Sequence, residues 1–235
     1  MKKILMCGYR DWAIQIMRGD CDSIVWSSAI LKLNKEVDFK LVENKQSFKK
    51  CLKDYEPDLI FFIGWSWIIP KETVDQYTCI CLHPSPLPKY RGGSPLQHQI
   101  MNGEKESAVT FFKMNEFIDK GDILYQQRFS LSGGLVDIYE RIVEFGIKGA
   151  CEIISTYLED DILIGEKQND SESSYYKRRT PDMSEIQIED FQNCTAKNLH
   201  DKIRSLQDPY PNAFIRCKDE TKLYLTESKV ERVLK

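Results

Sequence analysis

Two thiols and an imidazole alternate along one short segment, at Cys79, Cys81 and His83. If this segment is a strand, the three side chains project to the same side of it. Same-face positions lie about 6.6 Å apart along a strand, so three of them rarely converge on one ion and we predict no metal site. The pattern also permits a thiol nucleophile at Cys81 activated by His83. Alternatively, Cys79 and Cys81 are small core residues.

Two carboxylates and two indoles lie in segments where either chemistry or ordinary structure can explain them. Asp119 and Asp122 belong to a short segment between two apolar runs, where Asp and Gly commonly satisfy the backbone of a turn. Trp65 and Trp67 directly follow the most apolar run of the chain. They are either core aromatics or one wall of a pocket for a flat ligand, and these residues alone leave both readings open.

A single cation follows the first apolar run of the chain. Gly8 ends this run, but the further glycines of the dinucleotide-binding fingerprint are missing, so we predict no nicotinamide cofactor. Arg10 lies where the next helix should begin, and a helix N-terminus favours anions. Arg10 therefore either meets an anionic ligand or is an ordinary surface arginine.

Apolar runs alternate with helical patterns through the first part of the chain, which indicates strands and helices in alternation. Residues 58–63 are the strongest predicted strand, and a run that is apolar throughout is typical of a parallel sheet covered on both faces. Alternation of this kind predicts an α/β, doubly wound, Rossmann-like and mainly parallel sheet. Such sheets bind ligands beyond the carboxyl ends of their strands, which directs attention to the segments after Gly8, Ile63 and Leu82.

The periodicity predicts the remaining elements and a division of the chain near residue 160. The predicted helices are 11–17, 47–52 capped by Ser47, a short one after Pro70, 95–101, 135–158 and 196–206. The other predicted strands are 3–8, 23–28, 37–42, 78–82, 107–114 and 123–131, with a hairpin over 213–226. We predict a core of residues 1–160 and a short α+β extension of residues 161–235 that ends in this hairpin.

Composition excludes several broad classes of protein. The chain has 235 residues, is 42% hydrophobic and carries 33 basic against 36 acidic side chains, for a net charge of −3. Its 26 aromatic residues, 11 Phe, 11 Tyr and 4 Trp, are too many for global disorder. The apolar stretch 59–70 is well short of the ~20 residues that span a bilayer, so we predict no membrane partner. Eight cysteines without a Cys-x-x-Cys pair, and no signal-peptide core, predict reduced thiols in the cytoplasm.

The motifs around the alternating thiols resemble a known enzyme family. They are HPSPLPKYRG at residues 83–92 followed by Pro95, then Val109 and Thr110, then IDKGDIL at residues 118–124. This combination resembles the 10-formyltetrahydrofolate-dependent formyltransferases, which include glycinamide ribonucleotide transformylase, methionyl-tRNA formyltransferase and the sugar N-formyltransferases. YYKRRTP at 175–181 and DPYPNAF at 208–214 resemble the tRNA and sugar branches more weakly. The resemblance implies the formyltransferase fold and 10-formyltetrahydrofolate as co-substrate.

The resemblance also implies catalytic residues and one departure from the family pattern. His83 and Asp119 match the family's catalytic histidine and aspartate, whereas Cys81 occupies the position of its asparagine. An Asn amide donates a hydrogen bond to a developing oxyanion, while a thiol is a weak donor. Loss of one such donor costs about 10²–10³ in turnover. By this resemblance an amine attacks the formyl carbon, His83 stabilises the oxyanion, and Asp119 holds His83 and helps relay the proton.

Binding roles follow from the same resemblance. The pterin is expected near Trp65, Trp67, Ile68, Pro86, Leu87, Pro88, Gly121 and Asp122. The expected substrate-binding residues are Arg10, Tyr90, Arg91 and Gly92.

The identity of the amine is inferred from the extension and the charge. The tRNA formyltransferases carry an additional carboxyl-terminal tRNA-binding domain, where this chain has a short hairpin and a negative net charge, so we expect no nucleic-acid partner. The prediction is a nucleotide-linked amino sugar, with a homodimer formed through the hairpin. Two alternatives remain: a Cys–His amide or formyl hydrolase, and a catalytically impaired protein that binds a folate or nucleotide.

Overall fold

The computed structural model describes residues 1–19 and 36–232. The described strands are β1 (Lys2–Cys7), β2 (Val37–Val42), β3 (Leu59–Ile63), β4 (Thr78–His83), β5 (Arg91–Gly92), β6 (Glu106–Lys113), β7 (Ile123–Ser130), β8 (Tyr175–Tyr176), β9 (Ala213–Arg216) and β10 (Lys222–Leu225). The described α-helices are α1 (Asp11–Arg18), α2 (Lys45–Tyr55), α3 (Lys71–Gln76), α4 (Pro95–Met101), α5 (Leu135–Asp160), α6 (Asp190–Asn193) and α7 (Ala196–Ser205). Single 3₁₀ turns occupy Asp170–Glu172 and Pro181–Ser184.

A six-stranded sheet forms the centre, in the order β2-β1-β3-β4-β6-β7. The first four strands run parallel, β6 is antiparallel to β4, and β7 is antiparallel to β6. β6 is therefore the one reversed strand of the sheet, which confirms the predicted mainly parallel α/β fold. The strand predicted over residues 23–28 lies outside the described residues.

The central strand β3 is covered on both faces, as its apolar sequence predicts. All five of its residues are at most 1% exposed. Leu59, Phe61 and Ile63 pack in the cluster that includes α1 and α5. Ile60 and Phe62 pack on the opposite face against α2. Because successive side chains of a strand point to opposite faces, one strand contributes to both halves of the core.

The N-cap of helix α2 is Asn44, three residues before the predicted cap, so the predicted cap at Ser47 is wrong. Asn44 has an extended backbone, and its side-chain oxygen accepts hydrogen bonds from the Ser47 amide at 2.9 Å and the Ser47 hydroxyl at 2.8 Å. Asparagine is among the preferred N-cap residues because its oxygen satisfies one of the unpaired amides of the first turn. Ser47 is thus the donor to the cap.

The segment after Asp160 packs on the core at several places. β8 pairs in parallel with β5, α7 packs on α4, and Glu166 forms an isolated bridge with Ile123. The predicted hairpin is present as β9 and β10. The boundary between residues 160 and 161 stays a prediction. Within residues 1–19 and 36–232, no helix is both long and apolar enough to cross a membrane.

Candidate functional site

His83 and Asp119 face each other at the end of β4. His83 is the last residue of that strand, and the connection between β6 and β7 carries Asp119 to it. The distance from His83 Nδ1 to Asp119 Oδ2 is 3.6 Å, and the two side chains are 8% and 15% exposed. This separation is that of an ion pair without a short hydrogen bond. The structure therefore brings together two of the three predicted catalytic residues as a nearly buried pair.

The hydrogen bond of the second ring nitrogen assigns the tautomer of His83. His83 Nε2 lies 2.8 Å from the carbonyl oxygen of Tyr90. A carbonyl only accepts hydrogen bonds, so the network assigns a proton to Nε2. Nδ1 is consequently the nitrogen that faces the Asp119 carboxylate.

The Asp119 turn depends on close backbone contacts. Asp119 has a φ of 53°, in the left-handed region, and its Oδ2 accepts a hydrogen bond of 2.8 Å from the amide of Gly92. A Cβ at Gly121 would lie 1.5 Å from the carbonyl oxygen of Lys113. No side chain fits there, so Gly121 permits the backbone approach that closes the turn beside His83.

Cys81 lies close to this pair as a protonated thiol. Burial raises its pKa well above the usual value, and the charges of Asp119 and Cys79 raise it further. Its Sγ makes a long contact of 3.6 Å to the carbonyl of Leu82. The ring nitrogens of His83 face Tyr90 and Asp119, so neither is directed to the thiol. A nucleophilic cysteine requires a lowered pKa, which argues against the Cys–His hydrolase alternative.

Thiol alkylation tests this description of Cys81. In the folded protein near neutral pH, iodoacetamide should modify the exposed Cys194 and leave Cys81 unmodified, because only the thiolate reacts. Since the pKa of Cys81 is raised, its modification should begin only as the pH rises above the range in which ordinary thiols ionise. Peptide mass spectrometry measures both sites in one sample. Modification of Cys81 at the rate of Cys194 near neutral pH would contradict the account.

The two predicted tryptophans have different surroundings. The Trp65 ring lies 5.7 Å from Phe48 and 5.9 Å from Phe62, on the core side of the loop after β3. The Trp67 ring lies 4.7 Å from Tyr9 and is half-buried. Ile68, beside it, is 92% exposed. Trp65 and Trp67 are both half-buried, and of the two it is Trp65 that packs against the core cluster of α2. Ile68 is the most exposed of the three predicted residues in this loop.

The other predicted cofactor-binding residues are partly engaged within the protein. Leu87 is buried and its carbonyl accepts a hydrogen bond from Gln126, while Pro86 and Pro88 on either side are half-buried. The Asp122 carbonyl accepts from the Lys113 amide. In the described part of the chain, the Asp122 carboxylate has no hydrogen-bond or ion-pair partner. Asp122 therefore retains its side chain for a ligand.

Arg10 lies at the carboxyl end of β1, between two aromatic rings. Its guanidinium carbon is 5.5 Å from the Tyr9 ring and 5.6 Å from the Tyr210 ring. Among the described residues it pairs with no carboxylate. The Tyr210 ring belongs to the extension, so the core and the extension together place this cation.

The other three predicted substrate-binding residues have structural contacts. Tyr90 is buried and its hydroxyl donates to Glu104. Arg91 is 4% exposed and forms an ion pair of 2.8 Å with Asp170, so its guanidinium is engaged within the protein. Gly92 donates its amide to Asp119. Tyr90 and Gly92 thus bond His83 and Asp119 through their backbone, and Arg10 is the accessible cation of the predicted set.

One residue that bonds the Asp119 turn is absent from the sequence prediction. Gln168 donates a hydrogen bond of 2.9 Å to the carbonyl oxygen of Asp119, across 49 positions of the chain. Local spacing contains no signal of such a long-range contact.

In residues 1–19 and 36–232, no group of three or more His, Cys, Asp or Glu side chains is arranged to hold a metal ion.

Comparison with known proteins gives consistent matches. Residues 28–153 match the family model described as Formyl transferase. The methionyl-tRNA formyltransferase of Caldanaerobacter subterraneus subsp. tengcongensis is 32% identical over 179 residues, which cover 74% of this chain and 55% of that protein. The methionyl-tRNA formyltransferase of Ehrlichia ruminantium strain Welgevonden is 33% identical over 171 residues, covering 70% and 52%. The chain thus spans about half the length of the curated relatives that it matches.

Solved structures share the fold over nearly the whole chain. The methionyl-tRNA formyltransferase from Clostridium thermocellum superposes with a TM-score of 0.81 at 28% identity, covering 98% of this chain and 94% of that one. A 4-N formyltransferase from Francisella tularensis has a TM-score of 0.72 at 21% identity, covering 99% of both chains, and shows the fold alone. Since the family model covers more than half of the 235 residues, this chain belongs to the formyl transferase family.

Proposed function

We propose that the protein transfers the formyl group of 10-formyltetrahydrofolate to an amine. The observation that carries the proposal is the nearly buried pair of His83 and Asp119, with His83 Nε2 bound to a backbone carbonyl and Nδ1 directed at the carboxylate. A carboxylate beside an imidazole stabilises the imidazolium ion, and an imidazolium N–H can stabilise a developing negative charge. Membership of the formyl transferase family supports this chemistry.

The residues of the site fit the folate donor. A pterin has apolar faces and a polar edge with N–H donors. Trp67 and Ile68 offer the faces an aromatic and an aliphatic surface, and the free carboxylate of Asp122 offers the edge an acceptor. When bound, 10-formyltetrahydrofolate supplies an activated formyl group. We therefore assign Trp67, Ile68 and Asp122 to its pocket, with Pro86, Leu87, Pro88 and Gly121 forming the backbone around it.

The chain's own groups move the proton and stabilise the charge. In transfer to an amine, the amine nitrogen bonds to the formyl carbon, the formyl oxygen gains negative charge and the amine loses one proton. The bond from that carbon to the folate nitrogen then breaks, and the folate nitrogen takes up a proton as it leaves. In its protonated form, His83 shares its Nδ1 proton between Asp119 and the formyl oxygen, because its Nε2 proton is held by the Tyr90 carbonyl. Asp119 orients His83, accepts the proton that the amine loses and passes it to the folate nitrogen as that nitrogen leaves. Cys81 stands beside them as a weak donor.

Charge and size favour a nucleotide-linked amino sugar as the amine. Arg10 is a single guanidinium between two tyrosine rings, an arrangement that suits a compact phosphorylated ligand with a ring to stack. The net charge of −3 over 235 residues is unsuited to an extended polyanion. Two neighbours of the fold are described as sugar N-formyltransferases, from Shewanella and Mycobacterium tuberculosis, at 19% and 16% identity.

A second candidate amine is methionyl-tRNA, because the curated relatives at 29–34% identity are described as methionyl-tRNA formyltransferases. A panel assay separates the two. The purified protein is incubated with 10-formyltetrahydrofolate and either nucleotide-linked amino sugars or charged initiator tRNA, and products are weighed by mass spectrometry. We expect one added formyl group on a sugar. Formylation of the tRNA alone supports the second candidate, and formate release without transfer supports hydrolysis. Folate binding without any product supports an impaired homologue.

A homodimer in the cytoplasm completes the proposal. The outer edge of β10 has no partner strand among the described residues, and Leu223 and Tyr224 on it are each 56% exposed. An exposed apolar edge strand is a pairing surface for a second copy of the hairpin. The seven cysteines in the described residues are free thiols, in keeping with a reducing compartment. Light scattering of the purified protein should give twice the mass of one chain.

A further inference from the structure

Gln168 uses its whole side-chain amide to join two parts of the site. Its Nε2 donates to the carbonyl oxygens of Asp119 at 2.9 Å and Gly121 at 2.7 Å. Its Oε1 accepts from Arg91 Nε at 3.1 Å and from Arg91 Nη2 at 2.8 Å. A glutamine amide has two donor hydrogens and two acceptor lone pairs, so every hydrogen-bonding position of Gln168 is occupied.

Arg91 holds the oxygen end of the Gln168 side chain. The Arg91 side chain is 4% exposed, and its Nη1 forms an ion pair of 2.8 Å with Asp170. Asp170 also pairs with Lys120 at 3.0 Å. Hydrogen bonds from Lys120 and then Arg91 lower the pKa of Asp170, so it is charged at neutral pH. A planar guanidinium with several fixed contacts leaves Gln168 little freedom to move.

The turn that Gln168 contacts is also supported at its far end, where the Asp122 carbonyl accepts from the Lys113 amide, and at Lys120, which pairs with Asp170. Asp119 itself has fewer supports. Asp119 has a left-handed backbone, a conformation that residues with a Cβ seldom adopt. Phe117 and Ile118, which precede it, are 59% and 56% exposed, so the apolar core does not fix this side of the turn. Among residues 1–19 and 36–232, the Asp119 carboxylate has one hydrogen-bond donor, the amide of Gly92. The bonds from Gln168 to the carbonyl oxygens of Asp119 and Gly121 therefore help to hold this carboxylate beside His83.

We infer that Gln168 is a positioning residue for the catalytic pair. By bonding the carbonyl oxygens of Asp119 and Gly121, Gln168 keeps Asp119 Oδ2 directed at His83 Nδ1. Gln168 itself makes no hydrogen bond to the His83 ring or to the Asp119 carboxylate. The kinetic part of this inference rests on the proposed formyl transfer. The structural part, that Gln168 orders the Asp119 turn, does not.

Two substitutions separate the contacts of Gln168. Gln168→Met keeps the length of the side chain and removes all four bonds. Gln168→Glu keeps an acceptor for Arg91 and removes both donors to Asp119 and Gly121. We expect both variants to lower kcat by about 10–100-fold with little change in the KM of either substrate, because the orientation of the catalytic group is what is lost. The exposed Gln192, changed to Met, is the matched control and should match the wild type.

A double substitution and an exchange measurement distinguish positioning from general structure. In an Asp119→Asn background, Gln168→Met should lower kcat no further, because the two residues act as one unit. By NMR, the Gly92 amide should exchange its hydrogen faster in Gln168→Met than in the wild type or Gln192→Met. Wild-type kcat in Gln168→Glu, additive losses in the double variant, or unchanged Gly92 exchange would each overturn the inference. If the wild type transfers no formyl group, the proposed function fails, and the Gly92 exchange rate alone decides the role of Gln168.

Discussion

His83→Ala should lose about 10²–10⁴-fold in the turnover of formyl transfer, the range that a positioned acid–base group contributes. The substitution removes the nitrogen that faces Asp119 and leaves that carboxylate without its partner. The KM of the folate donor should change little, since its assigned pocket is formed by Trp67, Ile68 and Asp122. Initial rates of formylated product, measured at saturating donor, give the effect.

The matched control for His83→Ala is His200→Ala. His200 is a half-buried histidine of α7 whose Nδ1 lies 2.8 Å from the Ser228 hydroxyl, and none of its hydrogen bonds or ring contacts among the described residues involves His83, Asp119 or Cys81. Its substitution should leave turnover unchanged. Thermal melting of both variants checks folding, because His83→Ala also leaves the Tyr90 carbonyl without its donor. A folded His83→Ala variant with wild-type turnover would contradict the catalytic assignment.

Cys81→Asn should raise turnover, by as much as about 10²–10³-fold if the amide supplies a full oxyanion donor. The pKa of Cys81 is raised, and among the described residues its thiol makes one long hydrogen-bond contact, 3.6 Å to the carbonyl of Leu82. It is half-buried on the same strand as His83, so an amide side chain there points toward the catalytic pair. The measurement is kcat with saturating donor and amine, in parallel with the wild type.

Cys81→Ala distinguishes a weak donor from a nucleophile. If the thiol is a weak hydrogen-bond donor, Cys81→Ala should keep turnover near the wild-type value, while Cys81→Asn exceeds it. A nucleophilic thiol predicts that both substitutions abolish activity. Loss of turnover in both variants, with unchanged melting temperatures, would therefore return the Cys–His mechanism to consideration.

The sequence predicts the elements whose residues share one local pattern. β3 is apolar at every position and is buried on both faces, and β4 shows the thiol alternation that places Cys81 and His83 on one side. Only the resemblance to a family predicts that His83 and Asp119 lie close together, because no local spacing connects residues 36 positions apart. The start of α2 was misplaced because Asn44 and Ser47 are both good caps, and only the backbone geometry selects between them.

The roles of individual loop residues depend on long-range contacts that a local pattern does not contain. Arg91 has the charge expected of a substrate-binding residue, yet Gln168 and Asp170, 77 and 79 positions away, occupy its donors. Trp65 and Trp67 are two residues apart, and only the packing of Phe48 and Phe62 assigns the first to the core. Gln168 belongs to none of the sequence motifs, and its role is apparent only from its hydrogen bonds to the carbonyl oxygens of Asp119 and Gly121.

The most direct test of the central claim follows the formyl carbon itself. The wild-type protein is given 10-formyltetrahydrofolate with a ¹³C-labelled formyl group and a nucleotide-linked amino sugar, and the label is traced by NMR, with His83→Ala as the blank. The account predicts that the label appears as an amide on the sugar and that the blank shows none. Label found only in free formate, or retained on the folate in the presence of every amine tested, would contradict it.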